Sequence, residues 1–230
     1  MERGRRWMYA AACMVVAIVQ SGCTQNTINY NDLKKEIASR QEELSCAYRN
    51  PKCDKDSVVL CAQQFLFTTM TAKVFPCWYG TKWDYNGTTE EPRKGKIACG
   101  YFVTTTMRDL GFNIPRVRWA QLPSETMIKE MTDGKEIKRY RFASIGHIES
   151  QIKEWGNGIY VVGMDNHTGF IVNHDGRCSF VHSYYFNLSR GVTSERLDTN
   201  NPLRSSKYRV IGKILTDEMV RKWLSKERFP

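Results

Sequence analysis

The sequence lacks several features that would place a chain in a familiar class at once. It contains no internal repeat and no low-complexity tract, so a repeat array and a long disordered linker are excluded. It has no Cys-x-x-Cys pair and no cysteine–histidine spacing typical of zinc sites, and we expect neither a metal nor a cofactor. It also has no recognisable nucleic-acid-binding module. The formal net charge of +10 therefore favours an acidic partner other than nucleic acid.

Residues 1–22 are typical of a targeting segment. Basic residues between positions 3 and 6 precede the apolar run Ala10–Val19, which is too short to span a bilayer comfortably. Ser21 and Gly22 then precede Cys23. This arrangement resembles a bacterial lipoprotein signal, which implies that Cys23 carries a lipid, that residues 23–30 are a tether, and that the chain is anchored to a membrane of the cell envelope. Secretion without a lipid, or an uncleaved N-terminal anchor, would also place the domain outside the cytoplasm.

The rest of the chain, about 200 residues, is long enough for one ordinary domain with its own core. Residues 31–76 predict a helical extension, with one helix over Asn31–Ser45 and a second from Asp54 or Asp56 to about Val74, ended by Pro76. We expect residues 77–230 to form the main domain.

For the main domain, the sequence predicts helices followed by a mostly antiparallel sheet. After a loop at 77–95, we expect helices over Cys99–Leu110, after Ser124, after Ser144 and after Thr216. We expect strands over Ile137–Phe142, Gly158–Met164, His167–Asn173, Cys178–Tyr185 and Tyr208–Leu215. A polar loop over Asn187–Ser206 precedes the last of these strands. This order is typical of the α+β class, with the N-terminal helices packed on the sheet.

A cysteine at a helix start is the first candidate for chemistry. The aromatic and glycine-rich stretch Trp83–Gly87 leads through Gly95 to Cys99, on the first turn of an expected helix. A helix N-terminus carries partial positive charge and unpaired N–H groups, which favour a thiolate over a thiol. Cys99 can therefore be a nucleophile. The alternative is a buried apolar cysteine like the others of the domain, among which Cys46 with Cys53, or Cys61 with Cys77, could pair in an oxidising compartment.

Two of the four histidines fall on neighbouring expected strands. His167 and His182 flank the turn His174-Asp175-Gly176. If the turn has two residues, both side chains point to one face, with β-carbons within about 5–8 Å, directly opposed or diagonal depending on which pair forms the turn. His182 can then hydrogen-bond the ring of His167 and set which nitrogen faces Cys99.

The remaining candidates have simpler interpretations. His147 and His174 are expected at the surface or in packing roles. Asp165, two residues before His167, is an alternative orienting group for its ring, because residues two apart on a strand share a face.

These residues resemble those of the NlpC-type peptidases. The resemblance rests on Cys99 after a loop, on His-Thr-Gly-Phe-Ile-Val at 167–172 and on Phe-Val-His at 180–182. It implies a papain-like fold and a cysteine hydrolase that cuts amide bonds in peptidoglycan stem peptides, with Cys99 as nucleophile, His167 as base and His182 as orienting residue. That family usually has aspartate before its cysteine and serine after it, where this chain has Ala98 and Gly100.

The implied mechanism is acyl transfer through Cys99, with backbone N–H groups of the helix start holding the oxyanion. Trp83, Tyr85, Tyr101 and Gln121 are candidate substrate-binding residues. The expected partners are a cell-wall peptide or another amide substrate, and a membrane through the N-terminal lipid. Two alternatives stay open: a binding lipoprotein that keeps the fold without turnover, and a related enzyme that makes amide bonds.

Overall fold

A six-stranded antiparallel sheet lies at the centre of this computed structural model, which describes residues 29–230. Its strands are β1 (Ile137–Arg141), β2 (Gly158–Met164), β3 (Thr168–His174), β4 (Arg177–Tyr184), β5 (Gly191–Arg196) and β6 (Tyr208–Ile214). They lie in the order β1-β6-β2-β3-β4-β5, and each neighbouring pair is antiparallel. β1 and β5 are therefore the edge strands.

Helices cover both faces of this sheet. They are α1 (Tyr30–Arg49), α2 (Lys55–Thr69), α3 (Phe75–Trp78), α4 (Cys99–Asp109), α5 (Arg116–Ala120), α6 (Ser124–Met131), α7 (Ile145–Trp155), α8 (Pro202–Ser205) and α9 (Asp217–Leu224). The larger core joins α1, α2, α4, α6 and α9 to the face that carries Phe170 and Val181. The smaller core joins α7 to the face that carries Ile171 and Phe180. The predicted α+β class is confirmed.

The N-terminal helices share the larger core with the rest of the chain. Gln41 of α1 donates hydrogen bonds to the carbonyls of Gly111 and Trp223, at 3.2 and 2.9 Å. The stretch Lys55–Trp78 is long and apolar enough to cross a membrane by length and composition alone, and 44% of its 18-residue apolar window is buried within the fold. A boundary at residue 77 stays a prediction. The expected signal 1–22, Cys23 and most of the tether 23–30 lie outside the described residues.

Helix boundaries with a local signal follow the sequence. Ser144 caps α7 by accepting from His147 N–H at 3.2 Å, and Gly156, with φ of 97°, ends it. Thr216 caps α9 in the same way. Pro76, in contrast, does not end the second helix. A π-helical turn at Met70–Val74 leads directly into α3, where Pro76 lies in the first turn and needs no N–H partner.

One short helix was not predicted, one predicted loop contains regular structure, and one expected cap is absent. α5 lies between Pro115 and the next helix, and β5 and α8 lie within the segment expected to be a polar loop. Ser124 is the first residue of α6 rather than its cap, and its side chain makes no cap hydrogen bond. Ser124 instead packs close to Gly163 of β2, where an added β-carbon would lie 2.4 Å from its Oγ.

Candidate active site

Cys99 is the first residue of α4, as predicted, and backbone contacts hold the segment that leads to it. Ile97 N–H donates to the carbonyl of Lys82 at 2.9 Å, while Ser183 Oγ of β4 donates to the carbonyl of Ile97 at 2.8 Å. Gly87 passes so close that an added β-carbon would lie 2.6 Å from Ile97 N. The loop before α4 is therefore fastened to the sheet, and the position of Cys99 follows from it.

Cys99 is half-buried, and its thiol faces three backbone donors. These are the N–H groups of Thr168, of Gly100 and of Cys99 itself, and each lowers the pKa of the thiol. Desolvation by burial is the larger effect, and it raises the pKa of Cys99 above its ordinary value. The resting form at neutral pH is therefore the thiol.

Strands β3 and β4 separate at the end of the sheet that faces Cys99. Their pairing reaches only Phe170 and Val181, whereas β2 stays paired with β3 as far as Thr168 and β4 with β5 as far as Tyr184. The N–H of Thr168, the residue after His167, is consequently directed at the Cys99 sulfur instead of at β4. The gap between the two strands brings the start of α4 next to the His167 backbone.

His167 and His182 form a buried hydrogen-bonded pair. Nε2 of His167 lies 3.0 Å from Nδ1 of His182, and the two residues are 4% and 0% exposed. The Phe180 ring stacks on His182 with centroids 4.0 Å apart. Burial lowers the pKa of His167 well below its ordinary 6.5, and the neighbouring His182 acts in the same direction. Burial also lowers the pKa of His182, so both rings are neutral at neutral pH.

The pair adopts one of the two geometries predicted from the sequence. The hairpin turn is Asp175-Gly176, because His174 pairs with Arg177. Continuing this register places His182 opposite Gly169 and diagonal to His167. The diagonal arrangement is therefore the one that forms.

The thiol and the histidine pair are adjacent without being joined. Among residues 29–230, no hydrogen bond links the Cys99 thiol to the ring of His167; the ring pairs with His182, and the sulfur faces the backbone donors. Catalytic hydrogen bonds are often loose in a free enzyme and tighten only when substrate binds. A proton transfer here requires such a tightening.

Sequence reasoning missed Glu195, which extends the histidine pair. Glu195 Oε1 lies 2.9 Å from His182 Nε2, and its Oε2 lies 3.0 Å from a guanidinium nitrogen of Arg190. The Glu195 side chain is only 5% exposed. It sits on β5, inside the segment expected to be a loop. The β-branched pair Val192-Thr193 beside it was the available signal for a strand.

An aromatic wall lies beside the site. The ring of Tyr185 is 4.9 Å from that of His167 and 5.9 Å from that of Trp83. Burial raises the pKa of Tyr185, and the nearby Cys99 acts in the same direction. Tyr185 was not predicted as a site residue, whereas Trp83 was. Trp83 Nε1 is buried and has no hydrogen-bond partner among residues 29–230.

Of the other predicted binding residues, Tyr85 lies in the solvent, and Tyr101 and Gln121 contact each other. Tyr85, 80% exposed, belongs to the same loop as Trp83. Tyr101 and Gln121 contact one another, with Gln121 Nε2 donating to Tyr101 Oη at 3.3 Å, and Arg116 stacks on the Tyr101 ring at 4.9 Å. Tyr101 lies on α4, and Gln121 directly follows α5.

Asp165 makes no hydrogen bond to the ring of His167. Its carboxylate accepts from the N–H groups of Lys207 and Tyr208, at 2.8 and 3.0 Å, and these bonds lower its pKa. Its role is to hold the segment before β6. His147 and His174 are both exposed, as expected.

The glycine after Cys99 has a packing reason. A β-carbon on Gly100 would lie 2.4 Å from the carbonyl oxygen of Ala120, the last residue of α5. Serine, which the NlpC-type pattern places here, does not fit beside this helix. The departure therefore follows from α5, which the sequence did not reveal.

Cysteine pairing and metal binding are both absent from the described residues. Cys46, Cys53, Cys61, Cys77, Cys99 and Cys178 are all free there, so the bridges considered from the sequence are not formed. No group of three or more histidine, cysteine or acidic side chains in residues 29–230 could hold a metal ion.

Comparison of the chain with protein-family models, with curated proteins and with solved structures finds no match.

Proposed function

We propose that this protein is a cysteine hydrolase with a papain-like fold of the NlpC type, which cleaves amide bonds through Cys99, His167 and His182. The observation that carries the proposal is the buried hydrogen bond between the two histidines, 3.0 Å long, beside a helix-start cysteine that faces the N–H of Thr168. A buried pair of neutral histidines is costly to fold unless its hydrogen bonds are made, and such pairs are concentrated at functional sites.

The proposed chemistry begins from a neutral thiol and a neutral imidazole. As the substrate carbonyl approaches, His167 takes the Cys99 proton and the sulfur forms a bond to the carbonyl carbon. The oxyanion accepts from backbone N–H at the start of α4, where the helix dipole also favours negative charge. His167 then returns the proton to the leaving amine. A water molecule, deprotonated by His167, releases the acyl group and restores the thiol.

The half-buried position of Cys99 and the raised pKa of its thiol fit a general-base mechanism better than a preformed ion pair. In such a site the nucleophile is activated only when substrate completes it. His182 holds the ring of His167 in one orientation, which is the contribution of the third member in triads of this kind.

The substrate class comes from the resemblance to NlpC-type enzymes and from the surroundings of the site. We propose a peptide of the cell wall as substrate, with Trp83, Tyr85 and Tyr185 forming one wall of its cleft. Stem peptides carry carboxylates, and the net charge of +10 favours their approach. Anchoring by a lipid on Cys23, and hence location at the cell envelope, is part of the same proposal.

A second candidate function is a binding lipoprotein on the same fold. The absence of a hydrogen bond between Cys99 and His167 within the described residues, together with the raised pKa of Cys99, favours it. The two candidates differ in whether Cys99 reacts.

The test is hydrolysis of purified muropeptides by wild-type protein and by Cys99→Ala, followed by mass spectrometry of the products. We expect cleavage by the wild type and none by the variant, with the same thermal unfolding midpoint for both. Cys61→Ala, at an exposed free cysteine of α2, is the matched control and should retain cleavage. Equal cleavage by Cys99→Ala would overturn the proposal, and no cleavage by any protein would favour the binding lipoprotein.

A further inference from the structure

We propose that Glu195, held by Arg190, is a positioning residue whose carboxylate fixes the tautomers of both histidines and makes Nδ1 of His167 the basic nitrogen. The role of His167 as base rests on the proposed function, whereas the tautomers do not. Glu195 lies outside the predicted triad of Cys99, His167 and His182.

The Glu195 carboxylate is buried, and each of its two oxygens has a hydrogen-bond partner. Glu195 Oε1 lies 2.9 Å from His182 Nε2, and Oε2 lies 3.0 Å from Arg190. The guanidinium of Arg190 also lies 4.4 Å from the centroid of the Tyr184 ring, which packs against His182. Arg190 is thus restrained on two sides, and the groups that face Glu195 are His182 and Arg190.

Register across three strands aligns the chain of contacts. Glu195 of β5 lies opposite Phe180 of β4 and diagonal to His182. His182 is in turn diagonal to His167. All four side chains lie on the sheet face that carries the smaller core.

Glu195 is ionised at neutral pH. Burial by itself would raise the pKa of its carboxyl, but the hydrogen bond to His182 and the charge of Arg190 lower it below its ordinary value. An ionised carboxylate can only accept hydrogen bonds. His182 Nε2 must therefore carry a proton and donate it toward Glu195.

The proton on His182 Nε2 determines where the other ring protons of His182 and His167 lie. A neutral imidazole has one N–H, so Nδ1 of His182 has none and accepts from Nε2–H of His167. His167, also neutral, then has a lone pair on Nδ1. With Nε2 occupied by His182, Nδ1 is the ring nitrogen left for the Cys99 thiol, which faces the N–H of the next residue, Thr168. Glu195 therefore decides, through two rings, which nitrogen can take a proton from Cys99.

Glu195→Gln should move the ring proton of each histidine to its other nitrogen. Its amide has a single oxygen for two donors, Arg190 and His182. If the oxygen accepts from Arg190, the NH₂ group faces His182 Nε2, which must then accept. The proton of His182 moves to Nδ1, and His167 must present a lone pair at Nε2 and a proton at Nδ1.

The experiment measures the tautomers by ¹⁵N NMR of the histidine rings in full-length protein, and hydrolysis of muropeptides in parallel. For the wild type we expect protons on Nε2 of His167 and His182 and none on their Nδ1 atoms. Glu195→Gln should move both protons and lower kcat by at least about tenfold with little change in KM, as loss of the correct tautomer does in catalytic triads. Glu195→Asp should keep the wild-type tautomers.

Asp198→Asn is the matched control, because Asp198 forms an exposed ion pair with Arg196 at the end of the same strand. It should change neither spectrum nor rate. A proton on Nδ1 of His167 in the wild type, or unchanged ring nitrogens in Glu195→Gln, would overturn the inference. The wild-type spectrum decides without any variant that must fold. If the wild type hydrolyses nothing, the proposed function fails, and the spectra still decide the role of Glu195.

Discussion

A β-carbon added to Gly169 would lie 2.8 Å from Cβ of His182. This contact crosses the gap where β3 and β4 have separated, and it lets the His182 ring reach Nε2 of His167. Glycine at position 169 is thus a condition for the histidine pair and not only for the strand.

Gly169→Ala should displace His182 and reduce hydrolysis more than it reduces stability. Overpacking at a buried contact destabilises by about 1–3 kcal/mol, and loss of the histidine pair should also lower the rate. Urea unfolding and muropeptide cleavage measure the two effects. Gly146→Ala is the control, since an added β-carbon there has open space; wild-type rates in Gly169→Ala would contradict the account of this contact.

Gly100→Ser introduces the serine that NlpC-type enzymes usually have at this position, but it should weaken this protein. The new side chain would meet the carbonyl oxygen of Ala120, 2.4 Å from the added β-carbon, with backbone on both sides of the contact. We expect a loss of about 1–3 kcal/mol in the free energy of unfolding and slower modification or turnover at Cys99. A stable and more active variant would show that α5 can move away from α4.

The buried histidines predict a specific pH dependence of stability. The pKa values of His167 and His182 are lowered in the folded state, so between those values and about 6.5 the unfolded chain binds more protons. Their contribution to stability is complete above about pH 6.5 and decreases as the pH falls toward the folded pKa values. Urea unfolding from about pH 7.5 to about pH 5 measures this slope. His174→Gln, at an exposed histidine, should leave the slope unchanged, and a flat profile in the wild type would mean that the two rings are not buried as described.

The same lowered pKa of His167 predicts the acid limb of activity. In the proposed mechanism His167 must be neutral to accept a proton, and its lowered pKa keeps the ring neutral at pH values well below about 6.5. The pH profile of kcat/KM should therefore remain level through that value and fall only at lower pH. A decline centred near the ordinary histidine pKa would indicate that the base is solvated.

Tyr185 should act through its ring more than through its hydroxyl. The hydroxyl donates to Asn166 Oδ1 at 3.0 Å, on the turn that precedes His167, while the ring lies 4.9 Å from the His167 ring. Tyr185→Phe should retain most activity, and Tyr185→Ala should lose most of it because water gains access to His167. Steady-state kinetics of the two variants make the comparison, and similar rates for both would exclude the aromatic wall from the site.

Parts of the fold that depend on local signals could be predicted from sequence. Ser144 and Thr216 cap their helices because a side-chain oxygen satisfies N–H groups two or three residues on, whatever the rest of the chain does. The pairing of His167 with His182 could be predicted for a related reason, since a two-residue turn and the period of a strand fix which side chains share a face.

The parts that could not be predicted depend on distant segments. α5 has only five residues, too few for a helical period to show, and its closeness to Gly100 is a tertiary contact. Glu195 lies on an edge strand of six residues whose pairing with β4 organises it. Its role depends on contacts with both Arg190 and His182, and the spacing of these residues along the chain does not predict those contacts.

The most direct test of the central claim is the mass of the Cys99-containing peptide after wild-type protein is quenched in acid during turnover of a muropeptide. The account predicts an acyl group on Cys99 as a thioester, with no adduct in Cys99→Ala and a strongly reduced amount in His167→Ala. Turnover without any adduct on Cys99, and undiminished in Cys99→Ala, would contradict it.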